Sequence, residues 1–207
     1  LSMAVQRIQR EFSPSPADAT NKPQFDRITG IVRDEIRRLN TIVEDFLASA
    51  RCRNLHLQPV HLAELIDKTV FLLKETTSSR SIQIEVLQPN VALYCMLDHD
   101  KMEQALLNLL RNAIDSMVAG GKLTIETESR RDGSLSITIG DTGSGIPEPQ
   151  RARIFDPFFT TKPSGNGLGL YIANEVVAAR RGEIRVKSAE GQGTIMEICL
   201  PCRKRGL

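Results

Sequence analysis

The chain has 207 residues, enough for one large domain or a domain with an appendage, and its 27 basic and 25 acidic residues nearly cancel. Bulk charge therefore argues for neither nucleic acid nor an acidic partner, and no apolar run approaches the roughly 20 residues that span a bilayer. With 41% hydrophobic residues and no Trp, the composition is that of a globular protein with a buried core.

In chain order, residues 1–12 place Leu1, Val5, Ile8 and Phe12 at helical spacing. SPSPADATNKP is a connector, and Pro23 suits a helix start. Phe25, Ile28, Val32, Ile36, Leu39, Val43, Phe46 and Ala50 then recur every three or four residues, a narrow stripe closer to a coiled-coil seam than to a globular helix face. So thin a hairpin leaves its stripe uncovered; dimerisation into a four-helix bundle covers it, and packing on the chain's own globular domain is the alternative. Asn54 to Gln58 reads as a linker, which sets domain bounds of 1–54 and 55–207. The chain begins at Leu rather than Met, as a fragment or processed chain does.

The second domain opens at Pro59 with the helix LAELIDKTVFLLKETTSSR, followed by the strands IQIEVLQ and VALYCML about a Pro89-Asn90 turn. Asp98 is the expected N-cap of a helix running to Gly120-Gly121. KLTIETES and SLSITIG are strands, then come a long glycine-bracketed loop, the helix LYIANEVVAARR, and the hairpin GEIRVKS with GTIMEICLP. Strands and helices mix without βαβ regularity, so the expected fold is α+β: a two-layer α/β sandwich with a mixed sheet of about five strands on three helices, preceded by a partial antiparallel helical hairpin. Cys52, Cys95, Cys199 and Cys202 have no disulfide-framework or zinc spacing, and Cys199-Leu-Pro-Cys202 ends a strand instead of opening a helix. A structural role and a reducing, cytosolic setting are the plain inference.

Chemistry concentrates in two places. Asn108, Asn112 and Asp115 share one face of the helix from 98. They are either satisfied or surface polar residues, or hard oxygen ligands for Mg²⁺ on nucleotide phosphates, which takes only one or two protein oxygens. The stretch 141–175 carries a glycine turn, DTGSG, then a Phe-rich loop with Lys162, then GNGLG feeding a helix N-terminus suited to phosphate. A loop of this length inside a domain reads as a lid.

These motifs resemble a known family. NLLRNA resembles the N box of the histidine-kinase-type ATPase superfamily, DTGSGIP its first glycine box, GNGLGL its second, and GQGTIMEICLP its final hairpin. FDPFFTTK resembles the F box of sensor histidine kinases of two-component systems, in particular the nitrogen-regulation-like subgroup. The resemblance implies an ATP-dependent protein-histidine kinase, with ATP and Mg²⁺ as cofactors, that passes a phosphoryl group to a histidine and then to an aspartate on a response-regulator receiver domain.

Residue by residue, it implies that Asn112 coordinates Mg²⁺ and Asn108 contacts phosphate or positions the attack. Asp141 accepts from the adenine amino group, Gly143 and Gly145 pass close to the base, and Thr194 supports adenine. Lys162 reaches a terminal phosphate, and Gly165, Gly167 and Gly169 shape the turn that presents amides to phosphate. Asp115, Ile146, Thr161, Leu168 and Leu170 join the nucleotide contacts, with Asp115 equally able to cap or to pair with Arg111. Phe155, Phe158 and Phe159 anchor the lid on the core or the hairpin.

The same resemblance makes residues 1–53 a dimerisation and phosphotransfer hairpin. The family's acceptor box has the form HExxNPL, and none of His56, His61 and His99 lies in such a box, so this chain is expected to bind ATP without phosphorylating itself. Implied too are homodimerisation through residues 1–53, a cytoplasmic location, a membrane link only through segments outside the chain, and no nucleic-acid partner. The rival readings are an ATPase switch of the gyrase-chaperone type, which shares the fold but lacks this F box, and a non-catalytic nucleotide-sensing or docking module.

Overall fold

The computed structural model describes residues 22–50, 55–89, 91–162 and 165–201, with the side chains of 37–50 left aside. The contacts divide into two units at residues 47/48. In the first, helix α1 (Lys22–Ala50) is about 44 Å long at 1.5 Å per residue. Pro23 sits in its first turn, where the missing N–H costs nothing. In the apolar stripe read from the sequence, Ile28 and Val32 are 52% and 43% exposed and Phe25 and Ile36 half-buried, and Ile31 beside the stripe is 60% exposed. The helix expected at 1–12 lies outside the described residues, and the pairing of the hairpin with it.

The second unit runs β1 (Gln58–His61), α2 (Leu62–Ser79), β2 (Ile82–Leu87), β3 (Tyr94–Leu97), α3 (His99–Ser116), β4 (Gly121–Ser129), β5 (Leu135–Asp141), α4 (Glu148–Arg151), α5 (Gly169–Ala179), β6 (Glu183–Ser188) and β7 (Thr194–Leu200). Its main sheet has the order β2-β4-β5-β7-β6, with β2 and β4 parallel and the other pairs antiparallel. Helices α2, α3 and α5 pack on one face. Alternation along β7 shows why: Thr194, Met196, Ile198 and Leu200 are buried, whereas Ile195 points outward at 47% exposure. A sheet covered on one side and wet on the other has this period-two signature. The core is closed by Leu65 and Ile66 of α2, Leu106, Leu109 and Ile114 of α3, Ile137 of β5 and Ile172 of α5. The two-layer α+β architecture is the expected one.

Two boundaries differ from the sequence reading. Strand β1, in the stretch read as a linker and helix start, exists through its antiparallel pairing with β3, a separate two-stranded sheet. Helix α3 stops at Ser116, short of Gly120. Met117 leaves the helical region at φ −102, ψ 70, and the Ser144 amide of the glycine turn donates to the Ser116 carbonyl at 3.1 Å.

Asp98 does cap α3. Its Oδ1 accepts from the Lys101 amide at 3.2 Å, and its Oδ2 accepts from the His56 amide at 2.9 Å, tying the entry of this unit to the helix. Burial works to raise the carboxyl pKa, but the His56 and Lys101 amides outweigh it and hold the group below its ordinary value. A depressed acid contributes stability above its unfolded pKa and loses it as pH falls through the folded one. Asp98→Ala is expected to cost about 1–2 kcal/mol in urea unfolding at neutral pH, and less in acid.

Candidate functional site

Helix α3 buries Met102, Leu106, Leu109, Leu110 and Ile114, which leaves Asn108, Arg111, Asn112, Asp115 and Ser116 facing a cleft of about 460 Å³. Asn108 Nδ2 is buried without a hydrogen-bond partner among the described residues. Such an amide is costly unless something entering the cleft accepts from it. Asn112 Oδ1 accepts from Lys162 Nζ at 2.9 Å, and the same ammonium lies 3.2 Å from Asp115 Oδ2. The other Asp115 oxygen accepts from Arg80 Nη1 at 3.0 Å. Asp115 thus pairs with cations from two other segments instead of Arg111 one turn back, and Arg111 lines the cleft with no ion pair among the described residues.

At the other end stands Asp141, the last residue of β5, paired across the sheet with Thr194. Its Oδ1 accepts from the Gly143 amide at 2.8 Å and from Ser116 Oγ at 3.0 Å. Burial pushes its carboxyl above the ordinary value, and bonds from Gly143, Ser116 and the Thr194 amide only partly oppose this. Gly143 is a steric requirement, since a Cβ there would stand 2.0 Å from Ser116 Oγ. Thr194 is buried, and its hydroxyl lies 3.0 Å from Ser188 Oγ. Ser188 donates to the Gly193 carbonyl and accepts from the Ile146 amide, so Thr194 is the donor of that pair and keeps its lone pairs for the cleft.

The loop between the glycine segments is fastened differently from the sequence reading. Among its described residues Ile154 is the buried one, at 6% exposure. Phe158 takes φ 66 and is 61% exposed, and Phe159 is half-buried under the Arg153 guanidinium, 4.7 Å from its ring centre. The expected anchoring is therefore corrected at Phe158, because the left-handed backbone there turns that ring to solvent, while Phe155 and Phe159 stay half-buried and Ile154 joins them as a buried residue. The carbonyl of Gly167, at φ 68, accepts from the Phe158 amide at 3.1 Å, and a Cβ there would meet the Phe158 carbonyl carbon at 2.4 Å.

Of the residues singled out from sequence, Asn108, Asn112, Asp115 and Asp141 line the cleft. So do Gly145, Ile146, Thr161, Lys162 and Gly165, and with them Gly167, Gly169, Leu170 and Thr194. Gly143 and Leu168 do not: Gly143 backs Asp141, and Leu168 is a core residue at 2% exposure that accepts no role at the surface of the cleft. Sequence reading missed Ser116, although it stands four residues after Asn112 on the same face. It also missed Ser188 and Arg80, for which the sequence carries no signal.

The histidines stay away from the cleft. His61 stacks on Tyr94, and His99 Nδ1 lies 3.0 Å from Asp100. Burial and then Glu197 push the Cys199 thiol pKa up, so it is an inert structural cysteine. The expectation of unpaired cysteines is corrected at Cys95, which is disulfide-bonded: sequence spacing does not measure distance in the fold. No helix among the described residues is long and apolar enough to cross a membrane.

Residues 97–204 match the family described as histidine kinase-, DNA gyrase B-, and HSP90-like ATPase. The chain is 35% identical over 171 residues to the sensor histidine kinase ZraS of Salmonella typhi, which covers 83% of this chain and 37% of that protein. It therefore spans little more than a third of that relative's length. Full-length ShkA in complex with AMPPNP matches with a TM-score of 0.78 at 26% identity, over 89% of this chain and 40% of that one. Histidine kinase ThkA in complex with the response regulator protein TrrA matches with a TM-score of 0.72 at 26% identity, over 99% of this chain and 58% of that one.

Proposed function

This chain belongs to the histidine kinase-, DNA gyrase B-, and HSP90-like ATPase family, and on that premise we propose that it is the kinase core of a sensor histidine kinase whose cleft binds ATP with Mg²⁺. The observation that carries the reading is the pair of asparagines on α3. One holds a buried donor with no acceptor among the described residues, and the other holds an oxygen on which a cation already sits. A polyphosphate with its metal supplies what each lacks.

In this reading the Asp141 carboxylate accepts from the adenine amino group, and Thr194 offers a lone pair beside it. The Asn108 amide donates to a phosphate oxygen, and Asn112 Oδ1 turns from the ammonium to Mg²⁺. Lys162 moves to the terminal phosphate, and the free amides at the start of α5 face the chain of phosphates. When bound, Mg²⁺ would be held by Asn112 and would supply neutralisation of charge on the phosphates. The residues contribute positioning and preset electrostatics, not covalent chemistry.

The acceptor is a histidine outside the three present here, and the phosphoryl group passes from it to an aspartate of a receiver domain. The ThkA–TrrA complex supports a partner of that class. Homodimerisation through residues 1–53 covers the exposed Ile28, Ile31 and Val32, and the unit works on the cytoplasmic side, where ATP is. Calorimetric titration with ADP and AMP-PNP, with and without Mg²⁺, tests the site. Binding strengthened by Mg²⁺ is expected, with no label retained by the chain after incubation with γ-labelled ATP. Absence of binding overturns the site reading, and robust labelling overturns the external acceptor.

A further inference from the structure

Arg80 follows α2 directly and lies ahead of residue 97, where the family match begins. Its place is fixed by the chain around it. The Arg80 amide donates to the Thr76 carbonyl at 3.2 Å, and Ser81 takes φ 55 to turn the backbone into β2. The guanidinium crosses to the end of α3, with Nη1 at 3.0 Å from Asp115 Oδ1 and 3.4 Å from the Ile114 carbonyl. Beyond Asp115 come Lys162 at 3.2 Å and Asn112 at 2.9 Å from that lysine. Charge alternates along this line, from the helix layer to the cleft.

We propose that Arg80 is a positioning residue for phosphate binding: by holding Asp115 neutralised, it frees Lys162 to leave Asn112 for the terminal phosphate of a nucleoside triphosphate. This rests on the nucleotide reading of the cleft. A carboxylate beside a polyphosphate is a liability, because like charges disfavour each other. If Lys162 were its sole partner, Asp115 would either retain the lysine or face the phosphates bare once the lysine had gone. A carboxylate has two oxygens, and here each serves a different cation. Departure of one leaves the other pair intact. Arginine suits the task because its charge is permanent. It also belongs to the helix layer, so it stays with Asp115 when the loop residue moves. The side chains of Arg80, Asp115 and Lys162 are 42%, 42% and 38% exposed, so the effect is moderate and screened by salt.

The test is calorimetric titration of AMP, ADP and AMP-PNP with Mg²⁺ into the wild-type chain, Arg80→Gln, Asp115→Asn and the double variant, at low and high salt. Arg80→Gln is expected to weaken AMP-PNP binding roughly five- to tenfold, ADP less, and AMP hardly at all. The loss shrinks in high salt, is partly recovered by Arg80→Lys, and vanishes when Asp115 is already Asn. Three results overturn the proposal: AMP-PNP affinity unchanged in Arg80→Gln, AMP weakened as much as AMP-PNP, or the full loss persisting beside Asp115→Asn. The second is the mark of a merely structural arginine, and thermal melts of Arg80→Gln and Arg80→Lys report that role separately. A wild-type chain that binds none of the three ligands overturns the nucleotide reading itself. Binding that is indifferent to Arg80 overturns only the arginine's part.

Discussion

Asp141→Asn is expected to weaken ADP binding by roughly ten- to a hundredfold, the loss that follows when a charged acceptor inside a cleft is replaced by a neutral group able to donate. The asparagine oxygen still accepts from the Gly143 amide and Ser116 Oγ, so the turn and the end of α3 are retained. The new NH₂ group now faces the adenine amino group, donor against donor. Guanine presents an oxygen at that position, so the variant narrows or reverses the preference for ADP over GDP.

In the proposed site the ionised carboxylate is the binding form, and burial raises its pKa in the free protein. Affinity for ADP in the wild type therefore falls as pH drops through that raised value, beginning at a higher pH than for an exposed carboxylate, while Asp141→Asn shows no such fall. For folding the sign is the reverse of the Asp98 case. An acid with a raised folded pKa contributes most below its unfolded pKa and loses that contribution as pH rises through the folded value. At neutral pH the Asn variant should melt no lower than the wild type. A variant that binds ADP normally, or a wild-type affinity flat in pH, removes Asp141 from the site.

Asn112→Ala is expected to abolish the Mg²⁺ dependence of nucleotide affinity, a drop of roughly ten- to a hundredfold in saturating Mg²⁺ with little change in EDTA. Mg²⁺ on a nucleotide keeps water and phosphate oxygens and takes few protein ligands, so one lost amide oxygen is a large share of what the chain contributes. The Lys162 ammonium at 2.9 Å shows that Asn112 Oδ1 is already aimed to receive a cation. Removing it also removes one of the two contacts that hold Lys162 in the free protein. Retained Mg²⁺ dependence in this variant shifts the metal to another oxygen of the cleft.

What could be read from the sequence was whatever repeats with a local period or depends on a local backbone. Asn108, Asn112 and Asp115 fall on one face because a helix turns every 3.6 residues, and β5 and β7 declared themselves by alternation. Asp98 was legible as a cap for the same local reason. The misses are all made by distant partners. Asp115 and Arg111 stand at ideal i,i+4 spacing, yet Asp115 turns to Arg80 and Lys162, which the fold brings to it. The end of α3 is decided by Ser144, from a turn far along the chain. Strand β1 is short and contains Pro59, and only its pairing with β3 makes it a strand. Phe158 was read as an anchor with Phe155 and Phe159, whereas its backbone, held by the distant Gly167 carbonyl, turns the ring outward, and Ile154 is buried nearby instead.

The early stop of α3 has one more consequence. Residues 108 and 116 are about 12 Å apart along its axis at 1.5 Å per residue, with the buried Asn108 amide at one end and the Asp141-bound hydroxyl at the other. Because the glycine turn seizes the helix at Ser116, that span is a rigid ruler. In the proposed site a ligand held at the Asp141 end is gauged by its reach along that span, so nucleotides that differ by one phosphate would differ to this protein in length as well as in charge.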